Sequence, residues 1–109
     1  MGDCLFCKIV NKELPSRVVF EDDRILAIHD INPLTPVHVL LISKVHVASL
    51  EEVTEDHMGL LGYIQYRARE IARELGLNGN YRVMNNCGPD AGQTVFHLHY
   101  HLLGGAKMA

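Results

Sequence analysis

Apolar residues fall on two periods along this chain. Leu61, Ile64, Ala68, Ile71 and Leu75 recur three or four positions apart, the spacing of one helix face. That predicts the main helix, from Thr54 to Leu75 with Gly76 as its stop; Ser49-x-x-Glu52 reads as a capping box and Thr54 as a second start. Arg67, Arg69 and Arg73 with Glu70 and Glu74 form its solvated face. The strand-like segments are "RVVFE" and "RILAIHD" around a turn at Asp22-Asp23, then "VHVLLIS" after a loop broken by Pro33 and Pro36. "NYRVMNN" and "TVFHLHYHLLG", separated by the turn-rich "CGPDAGQ", read as the last two. A short helix over residues 4–11, capped by Asp3 and ended at Leu14-Pro15, places Cys4 and Cys7 on one face. The expected fold is α+β: an antiparallel five-stranded sheet with one long and one short helix, as a single domain over residues 1–109.

Composition narrows the function. A formal charge of -3 and no Trp give neither a basic footprint nor a stacking surface, so DNA and RNA are not expected partners, whereas small nucleotides are allowed. No apolar stretch is long enough to span a membrane, and the amino-terminal segment resembles no secretory signal; Phe6 stands where a myristoylation motif needs Ser or Thr. The expected location is cytoplasmic. Three cysteines, two as Cys4-x-x-Cys7, then favour metal or redox chemistry over a structural disulfide.

The chemistry concentrates in "GQTVFHLHYHLLGG". In a strand, His97, His99 and His101 line one face while Leu98, Tyr100 and Leu102 line the other. One metal shared by all three is geometrically poor, because the outer pair would lie about 13 Å apart along the strand. A phosphate track suits them better: a neutral imidazole can attack phosphorus, and a neighbour can donate to phosphoryl oxygens or protonate the leaving group. The glycines of "CGPDAGQT" permit a nest of backbone N–H groups beside them. No P-loop, Rossmann or nucleophile-elbow motif is present.

The run His97-Leu98-His99-Tyr100-His101-Leu102-Leu103, together with "CLFCKI" and "HDINPLTPVHVLLISK", resembles the histidine triad (HIT) family over nearly the whole chain, and within it the nucleoside phosphoramidase-like branch. The resemblance implies that His99 is the nucleophile, with His101 and His38 beside the phosphate. It also implies that Gln93, Thr94 and Val95 hold the phosphate, that Asp30 binds the ribose, that Leu26 and Ile31 flank the base, and that Asn86 lies near the sugar. Ser43 replaces the family's usual proline. A homodimer with sheets joined across the interface is a further implication, as is a purine nucleotide of the AMP kind as ligand.

Cys4 and Cys7 make half of a tetrahedral zinc site. Zinc-binding relatives complete it with histidines that correspond to His46 and His97, which implies a structural zinc and leaves His99 and His101 free for phosphate. The expected reaction releases a nucleoside 5'-monophosphate from a phosphoramidate-type substrate through a nucleotidyl-histidine, with no catalytic metal. Its rival is a nucleotide-binding regulatory protein whose hydrolysis is incidental. Cys87, His29 and His57 receive structural or surface roles.

Overall fold

The structure, a computed structural model, describes residues 4–108. Five antiparallel strands form one sheet: β1 (Val18–Glu21), β2 (Ile25–His29), β3 (Val37–Ser43), β4 (Tyr81–Met84) and β5 (His99–Gly104), in the order β1-β2-β3-β5-β4. The short helix α1 is Leu5–Val10 and the long helix α2 is Met58–Glu74. No helix among the described residues is long and apolar enough to cross a membrane.

The sheet has two apolar faces because its central strands are apolar at both parities, as buried strands must be. Ile25, Ala27, Val39, Leu41, Tyr100 and Leu102 face α2 and meet Ile64, Ala68, Ile71 and Ala72. The opposite parity, Leu26, Ile28, Leu40 and Ile42, is covered by Phe6 and Ile9 of the six-residue α1. In antiparallel register Leu40 opposes His101 and Ile42 opposes His99. Directly opposed residues share a face, so both histidines lie on the α1 side.

The helix boundaries differ locally from expectation. Asp3 lies outside the described residues; the N-cap of α1 is Cys4, whose Sγ accepts the Cys7 N–H at 3.3 Å. Ser49 makes no side-chain cap bond and starts only a 3-10 turn over Leu50–Glu52. Thr54 is the working cap. Its hydroxyl accepts the Asp56 N–H, while His57 Nδ1 accepts the Thr54 N–H, and a 3-10 turn leads into α2 at Met58. His57 thus stands in for the Glu or Gln of a capping box.

The largest departure is in the last strand. The expected run began at Thr94, whereas β5 begins at His99, and residues 95–97 form a bend. After Ile42 the third strand turns away: Ser43 N–H donates to the Leu98 carbonyl, and Leu98 N–H donates to Val47. His97 therefore lies outside β5, in the bend, although its ring still meets Phe6 and the cysteines of α1. Gly104, near the other end of β5, sits so close to α2's exit loop that a Cβ there would lie 2.7 Å from Leu77 Cδ1.

Candidate active site and metal centre

A cavity of about 500 Å³ opens on the α1 side of the sheet. Phe6, Ile9, Ile28 and Leu40 give it an apolar floor and wall, and Asp30, Thr94, His99 and His101 bring polar groups to it. A more open hollow of similar volume, lined by residues including Asp23, Asp56 and His57, holds none of the histidine run.

His99 is buried, and its Nδ1–H donates to the His97 carbonyl at 2.7 Å. The proton is thereby held on Nδ1, and Nε2 keeps a free lone pair. Phe6 packs edge-on against the ring, with centroids 4.9 Å apart. Burial pushes His99 below the usual imidazole range, against the opposing pull of the His97 carbonyl.

The protons of its neighbours follow from one backbone amide. Leu34 N–H donates to His38 Nδ1 at 3.1 Å, so the His38 proton must sit on Nε2. That Nε2–H donates to His101 Nδ1 at 2.9 Å, with Asp30 Oδ2 at 3.4 Å. His101 in turn must carry its proton on Nε2. Burial, with His99 and His38 close by, pushes His101 down to about 4, and burial lowers His38 as well. Both rings stay neutral at neutral pH. Asp30, His38 and His101 bring donor atoms close enough to share a cation. His38 could ligate through Nε2 only by moving its proton to Nδ1, against the Leu34 amide. This donor set does not suit a metal.

The glycine-rich loop is built differently from the expected nest. Gly88 and Gly92 adopt φ of 93° and 95°, which their lack of a Cβ permits. The amides of Ala91, Gly92 and Gln93 are spent on closing the turn, and Gly88 N–H donates to Gln93 Oε1. The Gln93 amide donates to the Ala48 and Val95 carbonyls, so this buried side chain clamps the loop. Among the described residues, the Thr94 and Val95 amides have no protein acceptor. With the exposed Thr94 hydroxyl, they are the donors left for an anion.

Of the remaining expected contacts, Asp30 and Ile31 line the cavity, and Ile31 is 90% exposed at its rim. Leu26, on the same sheet face, is wholly buried and not on the cavity wall, where Ile28 and Leu40 stand instead. Asn86 is half-buried, with its amide against Gly92 and off the cavity wall. Its neighbour Asn85, not singled out in the sequence, donates to the His99 carbonyl at 2.9 Å. Phe6 and Ile9 were equally hidden, because an apolar face on a short helix looks the same whether it seals a core or walls a cavity.

Behind the cavity, Cys4, Cys7, His46 and His97 bring four donor atoms together. His97 Nε2–H donates to the Ser43 carbonyl at 2.6 Å, leaving Nδ1 bare. That Nδ1 lies 3.2 Å from Cys4 Sγ, 3.6 Å from Cys7 Sγ and 3.1 Å from His46 Nδ1, and Cys7 Sγ lies 3.3 Å from His46 Nδ1. A zinc tetrahedron with bonds of about 2.3 Å to sulfur and 2.05 Å to nitrogen has edges of about 3.6 Å (S···N) and 3.4 Å (N···N). The four distances match within a few tenths of an ångström. Converging lone pairs and thiols need a cation between them, and here, unlike at His38, the second-shell bond frees the ligating nitrogen. With no cation, burial and the adjacent Cys4 push the Cys7 thiol up.

A HIT domain model matches residues 11–108. A 14 kDa zinc-binding protein of Zea mays is 47% identical over 106 residues, covering 95% of this chain and 83% of that protein. A HIT family hydrolase from Clostridium thermocellum superposes with a TM-score of 0.96 at 51% identity, covering 100% of this chain and 96% of the other. A zinc-bound histidine triad family protein from Mycobacterium smegmatis superposes at 0.82 and 33% identity, covering 94% and 75%.

Proposed function

From the chain's membership of the histidine triad (HIT) family, which these matches establish, we propose that it is a hydrolase releasing a nucleoside 5'-monophosphate from phosphoramidate-type substrates. The observation that carries this reading is the proton pattern at the cavity. His99 presents a bare Nε2, and His101 a protonated one, to the same space.

The nucleoside occupies the apolar part of the cavity, against Phe6, Ile9, Ile28 and Leu40, with Ile31 at the rim and the ribose hydroxyls on Asp30. The phosphate lies against the Thr94 and Val95 amides. These donors and His101 Nε2–H stabilise charge on the phosphoryl oxygens as the transition state forms. His99 Nε2 attacks phosphorus, the P–N bond breaks, and the departing amine takes a proton from water. The His99 ring, now cationic, is held by the His97 carbonyl on its Nδ1–H. Water then attacks phosphorus, the bond to His99 breaks, and the monophosphate leaves with the ring neutral again. The groups at phosphorus, His99, His101 and the backbone amides, are neutral, so the reading takes a nucleotide of low charge, a monophosphate derivative of the AMP kind.

Cys4, Cys7, His46 and His97 hold a zinc ion whose role is structural. It crosslinks segments that lie far apart in the sequence and takes no part in the displacement. A second copy that pairs alongside β4, an edge strand in the order of the described sheet, makes the homodimer. The test of the reaction is AMP release from adenosine 5'-phosphoramidate by the intact protein and by His99→Ala, each with and without a chelator too weak to strip the thiolate site. Release by the intact protein alone, indifferent to the chelator, supports this reading. Tight AMP binding with no release from either protein replaces it with the regulatory binding protein.

A further inference from the structure

The four-donor centre and the cavity share their walls. Cys4 and Cys7 occupy the cap and first turn of α1, and the same helix presents Leu5, Phe6 and Ile9 to the cavity. His97 closes the bend that carries Thr94 and Val95, and its carbonyl holds His99. Phe6 touches both sides, edge-on to His97 at 6.0 Å and to His99 at 4.9 Å.

Helix α1 has little else to hold it. Six residues are too few for an autonomous helix. Among the described residues its backbone makes no hydrogen bond to the sheet. Its attachments are the packing of Phe6 and Ile9, the Lys12–Glu21 ion pair just beyond its end, and the two cysteines. Lys12 is well exposed, and such a pair contributes little.

We infer that the metal centre is a clasp coupled to the nucleotide cavity, so that zinc and nucleotide each raise the protein's affinity for the other. This rests on the proposed function, because it takes the cavity's ligand to be a nucleotide. A metal at Cys4, Cys7, His46 and His97 fixes α1 against the 94–99 segment, and so preforms both the apolar wall and the phosphate donors. Without it the wall must be ordered when the nucleotide binds, and that ordering cost appears as lost affinity. The coupling is reciprocal by linkage, and for two sites sharing a helix and a loop a factor of about ten is expected.

The experiment uses AMP as probe, with the zinc-loaded protein and with protein stripped by a strong chelator under reducing conditions. Calorimetry gives the AMP Kd of each form, and amide hydrogen exchange maps where protection changes. The expected result is a Kd about ten-fold weaker without metal, with faster exchange confined to α1 and residues 93–98. AMP affinities equal within two-fold, or exchange unchanged at α1, overturn the clasp. Loss of protection throughout β2, β3, β5 and α2 also overturns it, since the metal would then govern the whole fold and not this wall. Failure of the zinc-loaded protein to bind AMP removes the functional reading instead, while the exchange map still decides whether the metal fastens α1. In a second arm, a zinc indicator competes for the metal with and without saturating AMP on protein shown to stay folded throughout. Zinc affinity unchanged by AMP contradicts the reciprocity.

Discussion

His101 should make the protein measurably less stable in mild acid, and by an amount that can be worked out. Its imidazole is pushed down to about 4 in the folded state by burial and by His99 and His38, against about 6.5 in an unfolded chain. Between these values the unfolded chain binds a proton that the folded protein refuses. Stability therefore falls as pH drops through 6.5 and levels off below about 4. From pH 7 to 4.5 the loss from this residue alone is about 2.4 kcal/mol, out of about 3.4 kcal/mol for the whole shift. Acid also weakens metal binding, so the informative quantity is a difference between two proteins. Urea denaturation at pH 7 and pH 4.5 should show that His101→Asn loses about 2 kcal/mol less than the intact chain on acidification. Parallel losses in the two proteins would refute the premise that His101 is kept neutral by its surroundings.

Other consequences are simpler to read. Cys7→Ser, purified without added metal, should lose zinc from about one ion per chain to near none by elemental analysis, since three ligands hold a structural zinc poorly. Ile64→Ala empties a fully buried position where α2 meets the sheet and should cost about 2–5 kcal/mol in denaturant unfolding. Gly104→Ala must displace the packed Leu77 side chain, which predicts a loss of about 1–3 kcal/mol and little change at the distant His99.

The fold was legible where one period ran uninterrupted. The Leu61, Ile64, Ala68, Ile71, Leu75 stripe marked α2 because it faces one continuous sheet, and β1 to β4 were bounded by turns and prolines. The ligand set Cys4, Cys7, His46 and His97, carried by family resemblance, is brought together as expected. What local pattern could not show is that the alternating histidines are not all in one strand. His97 obeys the same spacing as His99 and His101, yet it lies in a bend, because Ser43 and Val47 capture Leu98 and end the ladder at Ile42 and His99. Contacts between residues some fifty positions apart decided that. The partners of Gln93, the Ala48 and Val95 carbonyls, were equally invisible to local pattern. Ser43 helps to hold this region together. Its hydroxyl donates to Val45 at 2.8 Å, beside His46, and its carbonyl orients His97.

The most direct test of the proposed chemistry is intact-mass spectrometry of protein mixed with adenosine 5'-phosphoramidate and quenched in alkaline denaturant before the first turnover ends. If His99 is the nucleophile, an adenylylated chain forms and decays at the rate of AMP release, maps to His99, and is missing from His99→Ala. AMP release at full rate with no adenylylated chain at any time, or an unchanged adduct in His99→Ala, would contradict a covalent histidine mechanism.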